Sequence, residues 1–267
     1  MRVYLPSNGM MGLNSIELRA PKIDDLREIP NLSQSSIIRK TQFVQLLAPK
    51  NDVDRITPYD RDYLFALAVA AISMNQLGFN VQCKKGHIIE SFMTAENMVP
   101  VRLPNGVKPT LEKKIGQTTY KFTKVNVAQE TQIEEYAMAL DDDKYNSGFE
   151  DGMAACTLCG HVSEDTINYV RNLDLAVYFA AIAFNYIDSH GLTMIRRVKC
   201  SACGEEMNVN LPITGEMLNV NVAQLISNFV SVSEIVDMKS FYDMTLPEYN
   251  TLIAAINQKR NRENQQA

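Results

Sequence analysis

Five cysteines carry the plainest chemistry in this sequence, and four of them fall into two pairs, Cys156-x-x-Cys159 and Cys200-x-x-Cys203. Each pair is followed by a glycine, Gly160 and Gly204. Two thiolates spaced by two residues in a tight turn can face one metal ion, and a following glycine relieves crowding at the knuckle. The spacing predicts one structural zinc ion held by Cys156, Cys159, Cys200 and Cys203. The stretch between the pairs, 160–199, is longer than a compact zinc ribbon allows, and a helix inserted between two knuckles accounts for it. Four thiolates leave no open position for water, so the metal would organise the fold and not act as a Lewis acid. Free buried or redox-active thiols are the competing reading. A thioredoxin-like role needs a single C-x-x-C at a helix start, which fits neither pair well.

The fifth cysteine sits in Cys83-Lys84-Lys85-Gly86-His87. Gly86 stands where a second cysteine would be, leaving Cys83 and His87 as the donors of a degenerate half-site. Either of them joins the main cluster in place of one cysteine, or binds a second metal with help from His161. A lone buried thiol and an exposed imidazole are the blander expectation. His190, in Asp188-Ser189-His190-Gly191, is read as the end of a helix, where a cation near the last carbonyls is favoured and Gly191 stops the helix. No G-x-S-x-G, Walker or dinucleotide glycine pattern occurs, and the sequence predicts no enzyme and no small-molecule substrate. Glu164, Asp165, Glu205 and Glu206 lie near the knuckles, and a metal-dependent hydrolase built on them is a third reading. Asp141-Asp142-Asp143 lacks the spacing and closing glutamate of an EF-hand and reads as a solvated loop.

The 267 residues are 46% hydrophobic, enough to bury a core in one large domain or two small ones. A net charge of −5 leaves little with which to neutralise a row of phosphates, so nucleic acid is not expected as a partner. The short basic runs Arg196-Arg197-Val198-Lys199 and Lys259-Arg260-Asn261-Arg262 keep open the alternative of a zinc-ribbon module binding nucleic acid or a transcription partner. No stretch approaches the roughly 20 apolar residues that cross a bilayer, and the first residues lack the apolar core of a secretory signal. A reducing cytoplasm is therefore expected, with metal binding favoured over disulfides.

These groups must be positioned by the elements around them. Ser15–Ala20 alternates like a short strand, and Ser35 to Leu47 reads as a helix ending before Pro49. Thr57-Pro58-Tyr59-Asp60 is a helix start that should run, buried on most sides, to about Leu77, with Gly78 as its stop and a strand from Phe79 to Cys83. Asp174 to Tyr186 repeats the plan: aspartate, apolar helix, glycine, strand, cysteine. Residues 57–95 and 170–215 thus read as two copies of a helix-to-knuckle unit. Between them lie a Pro- and Gly-rich stretch from Val101 to Thr110, a hairpin from Lys114 to Phe122 and a short helix near Gln132–Leu140. Helices near Val222–Met238 and after the capping box Thr245-x-x-Glu248 follow, the last fading into a polar tail at Asn257. The expected fold is α+β, mainly helical with short strands and zinc-ribbon-like cysteine knuckles. Three segments are expected: a helix and knuckle unit over 1–100, a hairpin and short-helix insertion over 101–150, and a zinc-knuckle unit with C-terminal helices over 151–267.

This layout resembles the T4-type bacteriophage baseplate hub proteins, the group containing the hub subunit and the hub assembly chaperone of contractile tails. The residues that carry the resemblance are Leu5-Pro6-Ser7-Asn8-Gly9, an early helix, the Thr57-Pro58-Tyr59-Asp60 start, Val81-Gln82-Cys83, and Val198-Lys199-Cys200-Ser201-Ala202-Cys203-Gly204. It covers most of 5–210, and Gly86 departs from the family pattern where a second cysteine of the first knuckle is expected. The resemblance implies a structural or tail-assembly protein of the virion tail baseplate, made in the host cytoplasm and partnered by other tail proteins. It implies no reaction and no membrane.

Overall fold

Local signals set most of the element boundaries. The computed structural model describes residues 1–72, 76–94, 98–192, 195–210, 213–218 and 236–266. Strands β1 (Arg2–Tyr4) and β2 (Ser15–Glu17) pair antiparallel. The helices α1 (Ile23–Glu28), α2 (Ser36–Leu47), α3 (Lys50–Arg55) and α4 (Pro58–Ile72) follow. The Ser35 side chain accepts from the Ile38 N–H to cap α2, and Thr57 Oγ1 accepts the Asp60 N–H at 3.0 Å to cap α4.

Beyond α4 comes a hairpin of β3 (Gln76–Gln82) and β4 (Ile88–Thr94). The expectation of a helix reaching Leu77 is corrected here: α4 ends at Ile72, and Leu77 and Gly78 are paired strand residues. Apolar periodicity cannot separate the end of a buried helix from the start of an apolar strand. Next are β5 (Pro100–Val101) and the hairpin β6 (Thr110–Ile115) with β7 (Thr118–Thr123), turning at Gly116.

Three helices follow the hairpin: α5 (Val127–Met138), α6 (Tyr145–Cys159) and α7 (Glu164–Arg171). The acidic run before α6 is exposed, with the Lys144 ammonium 2.6 Å from Asp141. Helix α8 (Leu175–Tyr186) is capped by Asp174, which accepts the Ala176 N–H at 2.7 Å. Short β8 (Gly191–Leu192) pairs with β5, and β9 (Ile195–Lys199) pairs with β10 (Glu206–Asn210). The chain closes with helices Met238–Asp243 and Leu246–Gln266. The Thr245 N–H donates to the Glu248 carboxylate at 2.8 Å, the reciprocal bond of a capping box, and Thr245 Oγ1 donates to the same carboxylate at 2.6 Å. The polar tail continues this helix to Gln266, since Gln, Lys, Arg and Glu are good helix formers. The helix expected near Val222–Met238 lies outside the described residues except at its end.

The architecture is α+β, with each described sheet two-stranded. The largest core gathers α1–α4 and the first strands with Phe241, Leu246 and Tyr249, so the C-terminal helices pack on the N-terminal part. A second core joins Phe122 of β7 to α6, α7 and α8 through Ala154, Ala155, Ile167, Ala181 and Phe184. The junction of α2, α4 and α5 holds buried charge. Arg61 is 1% exposed and pairs with Asp62 at 2.7 Å and with Glu130, while Lys40 reaches Asp62 at 2.9 Å.

Candidate metal centre

Both hairpins end in knuckles, which bury Cys83 and Cys200, half-bury Cys203 and leave His87 exposed. In the first, the Cys83 N–H donates to the His87 carbonyl at 3.0 Å and the Gly86 N–H to the Cys83 carbonyl at 2.8 Å. In the second, the Cys200 N–H donates to the Glu205 carbonyl and the Gly204 N–H to the Cys200 carbonyl, both at 2.8 Å. Gly86 and Gly204 close these turns at φ +83 and +73, a region costly for other residues. Lys84 spans the knuckles to Glu205 at 3.9 Å.

The two tips meet. One ligand atom from each of Cys83, His87, Cys200 and Cys203 lies within 4.8 Å of every other. Cys83 Sγ is 3.8 Å from Cys203 Sγ and 3.4 Å from His87 Nδ1, which is 3.8 Å from Cys200 Sγ. Zinc sits about 2.3 Å from sulfur and about 2.0–2.1 Å from nitrogen, so a tetrahedron has edges of about 3.8 Å between sulfurs and about 3.6 Å between sulfur and nitrogen. The observed separations match those edges, with His87 Nδ1 as the nitrogen donor.

The surroundings favour thiolates at two of the three sulfurs. Desolvation pushes the Cys83 thiol up, but backbone hydrogen bonds from His87 and Lys85 outweigh it and hold the group below the usual thiol range. Desolvation of Cys200 is likewise overcome by hydrogen bonds from the Cys203 and Ala202 backbone and the Cys203 side chain. At Cys203 the lowering backbone bond of Glu205 is outweighed by desolvation and by the neighbouring sulfurs, and the thiol is raised. Beneath the centre lies a small apolar cluster of Ile89, Val198, Met207 and Val209. A two-stranded hairpin is marginal by itself in water, and this cluster is small support for two of them.

Of the four cysteines expected to share a metal, the structure brings together Cys200 and Cys203, and completes the group with Cys83 and His87. Cys156 and Cys159 are elsewhere, in the last turn of α6, where the Gly160 N–H donates to the Cys156 carbonyl and Gly160 takes φ +88 as the helix stop. A glycine at positive φ ends helices as well as knuckles, so C-x-x-C-G is compatible with both. What makes 145–159 helical is packing on α5: a Cβ on Gly152 would lie 3.0 Å from Ile133. Cys156 is 1% exposed beside Val125, Ile133 and Met153, and desolvation, with the Cys159 charge adding to it, pushes its thiol up to about 12. Desolvation also raises the Cys159 thiol. His161 is exposed, with Nδ1 near the Cys159 carbonyl. His87 was the donor hardest to see, and its signal is a turn carrying Cys and His between two alternating strands.

His190 is not at a helix end, because α8 stops at Tyr186. It is buried, with Nδ1 2.9 Å from the Asp188 carbonyl and Nε2 2.8 Å from Thr57 Oγ1. A carbonyl only accepts, so Nδ1 carries a proton, and Nε2 shares a hydrogen bond with the Thr57 hydroxyl. This pins the loop after α8 to the start of α4. A cavity of about 200 Å³ adjoins it, lined by Tyr59, Lys124, Glu130 and Tyr186 among others. Its charges are engaged, Lys124 with the Phe184 and Ile187 carbonyls and Glu130 with Arg61.

No protein-family profile, no curated protein and no solved structure matches this chain. No described helix is long and apolar enough to cross a membrane.

Proposed function

We propose that this chain is a structural or assembly protein in which Cys83, His87, Cys200 and Cys203 hold one structural zinc ion that ties two β-hairpins together. The convergence of these four donors at tetrahedral spacing carries the reading. Four protein ligands leave the metal no open position, which favours a shape-holding role over hydrolysis. The matching order of α4, β3, knuckle, β4 and of α8, strands, knuckle, β10 supports a duplicated helix-to-knuckle unit, and the paired knuckles support a zinc-ribbon-like centre. One zinc per chain in the purified, reduced protein is expected; a metal-free chain would overturn this reading.

On the resemblance, the proposal extends to a component or chaperone of a contractile-tail phage baseplate hub, made in the host cytoplasm and bound to other tail proteins. Two of the motifs behind the resemblance touch: the Ser7 N–H donates to the buried Asp60 carboxylate at 2.8 Å, joining Leu-Pro-Ser-Asn-Gly to the Thr-Pro-Tyr-Asp start. Binding to nucleic acid is less favoured, since Lys84 faces Glu205 and Arg197 pairs with Glu206. Mass spectrometry of purified virions and infected cells tests the placement. A chain found in particles is a component, one found in infected cells alone is a chaperone, and absence from both refutes it.

A further inference from the structure

Helix α8 is apolar on both sides, yet among the described residues it is covered on one. Its sequence, Leu-Ala-Val-Tyr-Phe-Ala-Ala-Ile-Ala-Phe-Asn-Tyr, holds no charged residue. Val177, Ala181 and Phe184 face inward, the last with its ring 6.0 Å from Phe122. On the opposite side Leu175 is 68% exposed, Phe179 58% and Tyr186 60%, and Ile187 just past the helix is 53% exposed. Positions 175, 179 and 186 fall on one stripe at helical spacing, with Ala176 and Ala183 exposed beside it. A helix this apolar belongs in an interior.

We propose that this face of α8 is a self-association surface, buried against α8 of a second copy in a two-fold dimer. Taking about 200 Å² for each large apolar side chain when fully exposed, the stripe together with Ile187 offers roughly 500 Å² per copy. A standard interface needs about 800 Å² per partner, so α8 supplies more than half, nearly all of it apolar. Two further features select a second copy. The stripe itself has no charge, so its centre meets a second copy without like-charge repulsion, and the exposed Asp174 and Asp188 flank it at the two ends. It also alternates large side chains with alanines, so the same face presents both ridges and hollows, the self-complementarity that a two-fold interface requires. Antiparallel helices set the amino end of one dipole beside the carboxyl end of the other.

Light scattering on the full chain with zinc bound tests this. The wild type should run as a dimer at micromolar concentration, and Phe179→Glu or Leu175→Glu should raise its dissociation constant by about 100-fold or more, giving monomers. Both replaced side chains are exposed in the single chain, so zinc content and helical circular dichroism should not change, the melting temperature should fall only to that of wild type diluted below its dissociation constant, and Lys113→Glu on exposed β6 should remain dimeric. A wild type still monomeric at roughly 50 μM, where a dissociation constant in the low micromolar range would give mostly dimer, overturns the proposal. So does a dimer that survives both glutamate substitutions.

Discussion

The sharpest test of the metal centre is a contrast between Cys83→Ser and Cys156→Ala, since the two candidate ligand sets share Cys200 and Cys203 and part at these positions. Zinc that binds the native fold and not the unfolded chain stabilises it by about 4 kcal/mol when free zinc exceeds the dissociation constant 1,000-fold. In chains of this size each kcal/mol moves the melting temperature by about 2–4 °C, so zinc should raise it by about 8–16 °C over chelated protein, provided the hairpins melt with the rest. Cys83→Ser removes a sulfur that lies 3.8 Å from Cys203 Sγ and should abolish that increment. Cys156→Ala empties a buried site the size of about one methylene group, lowering the baseline by about 1–2 kcal/mol while leaving the increment and the zinc content intact. Thermal melts with zinc or chelator, paired with metal analysis, decide it. Loss of zinc from Cys156→Ala, or a full increment in Cys83→Ser, would refute the assignment.

Glu130→Ala leaves the fully buried Arg61 guanidinium with Asp62 as its remaining acidic partner, and urea unfolding should show a loss of about 3–5 kcal/mol. Gly191→Ala places a Cβ 3.0 Å from the Tyr59 carbonyl oxygen at φ +88, and should cost about 1–3 kcal/mol by the same measurement. The Cys156 thiol, held up to about 12 by burial, stays protonated in the fold while it ionises in the unfolded chain above the usual thiol pKa. The unfolded state then binds fewer protons, so stability falls as pH rises from about 9 towards 12, by at most about 1.4 kcal/mol per pH unit from this group. The advantage of wild type over Cys156→Ala should therefore shrink above pH 9 and reverse in sign before about pH 11 in urea titrations; a constant difference would count against the burial argument.

Where caps are strong, helices could be read directly: Ser35 opens α2, Thr57-Pro58 opens α4 and Asp174 opens α8, because a cap satisfies its own neighbours' N–H groups. The hairpin turning at Gly116 was legible for the same local reason. Helix α6 was not, since Gly148 and Gly152 look like breakers until α5 is packed against them.

By itself the sequence determined the mixed helix and strand content, most helix starts, the Cys200 and Cys203 knuckle, and that cysteine chemistry was worth following. Tertiary structure decided which partners that knuckle has. Cys83 and Cys203 are separated by 120 positions, and their meeting depends on how two hairpins fold back on each other. The two C-x-x-C-G segments are locally alike, because a glycine at positive φ ends a helix as readily as it closes a knuckle. Packing of α5 on α6 made one of them a helix terminus and left the other to find Cys83 and His87.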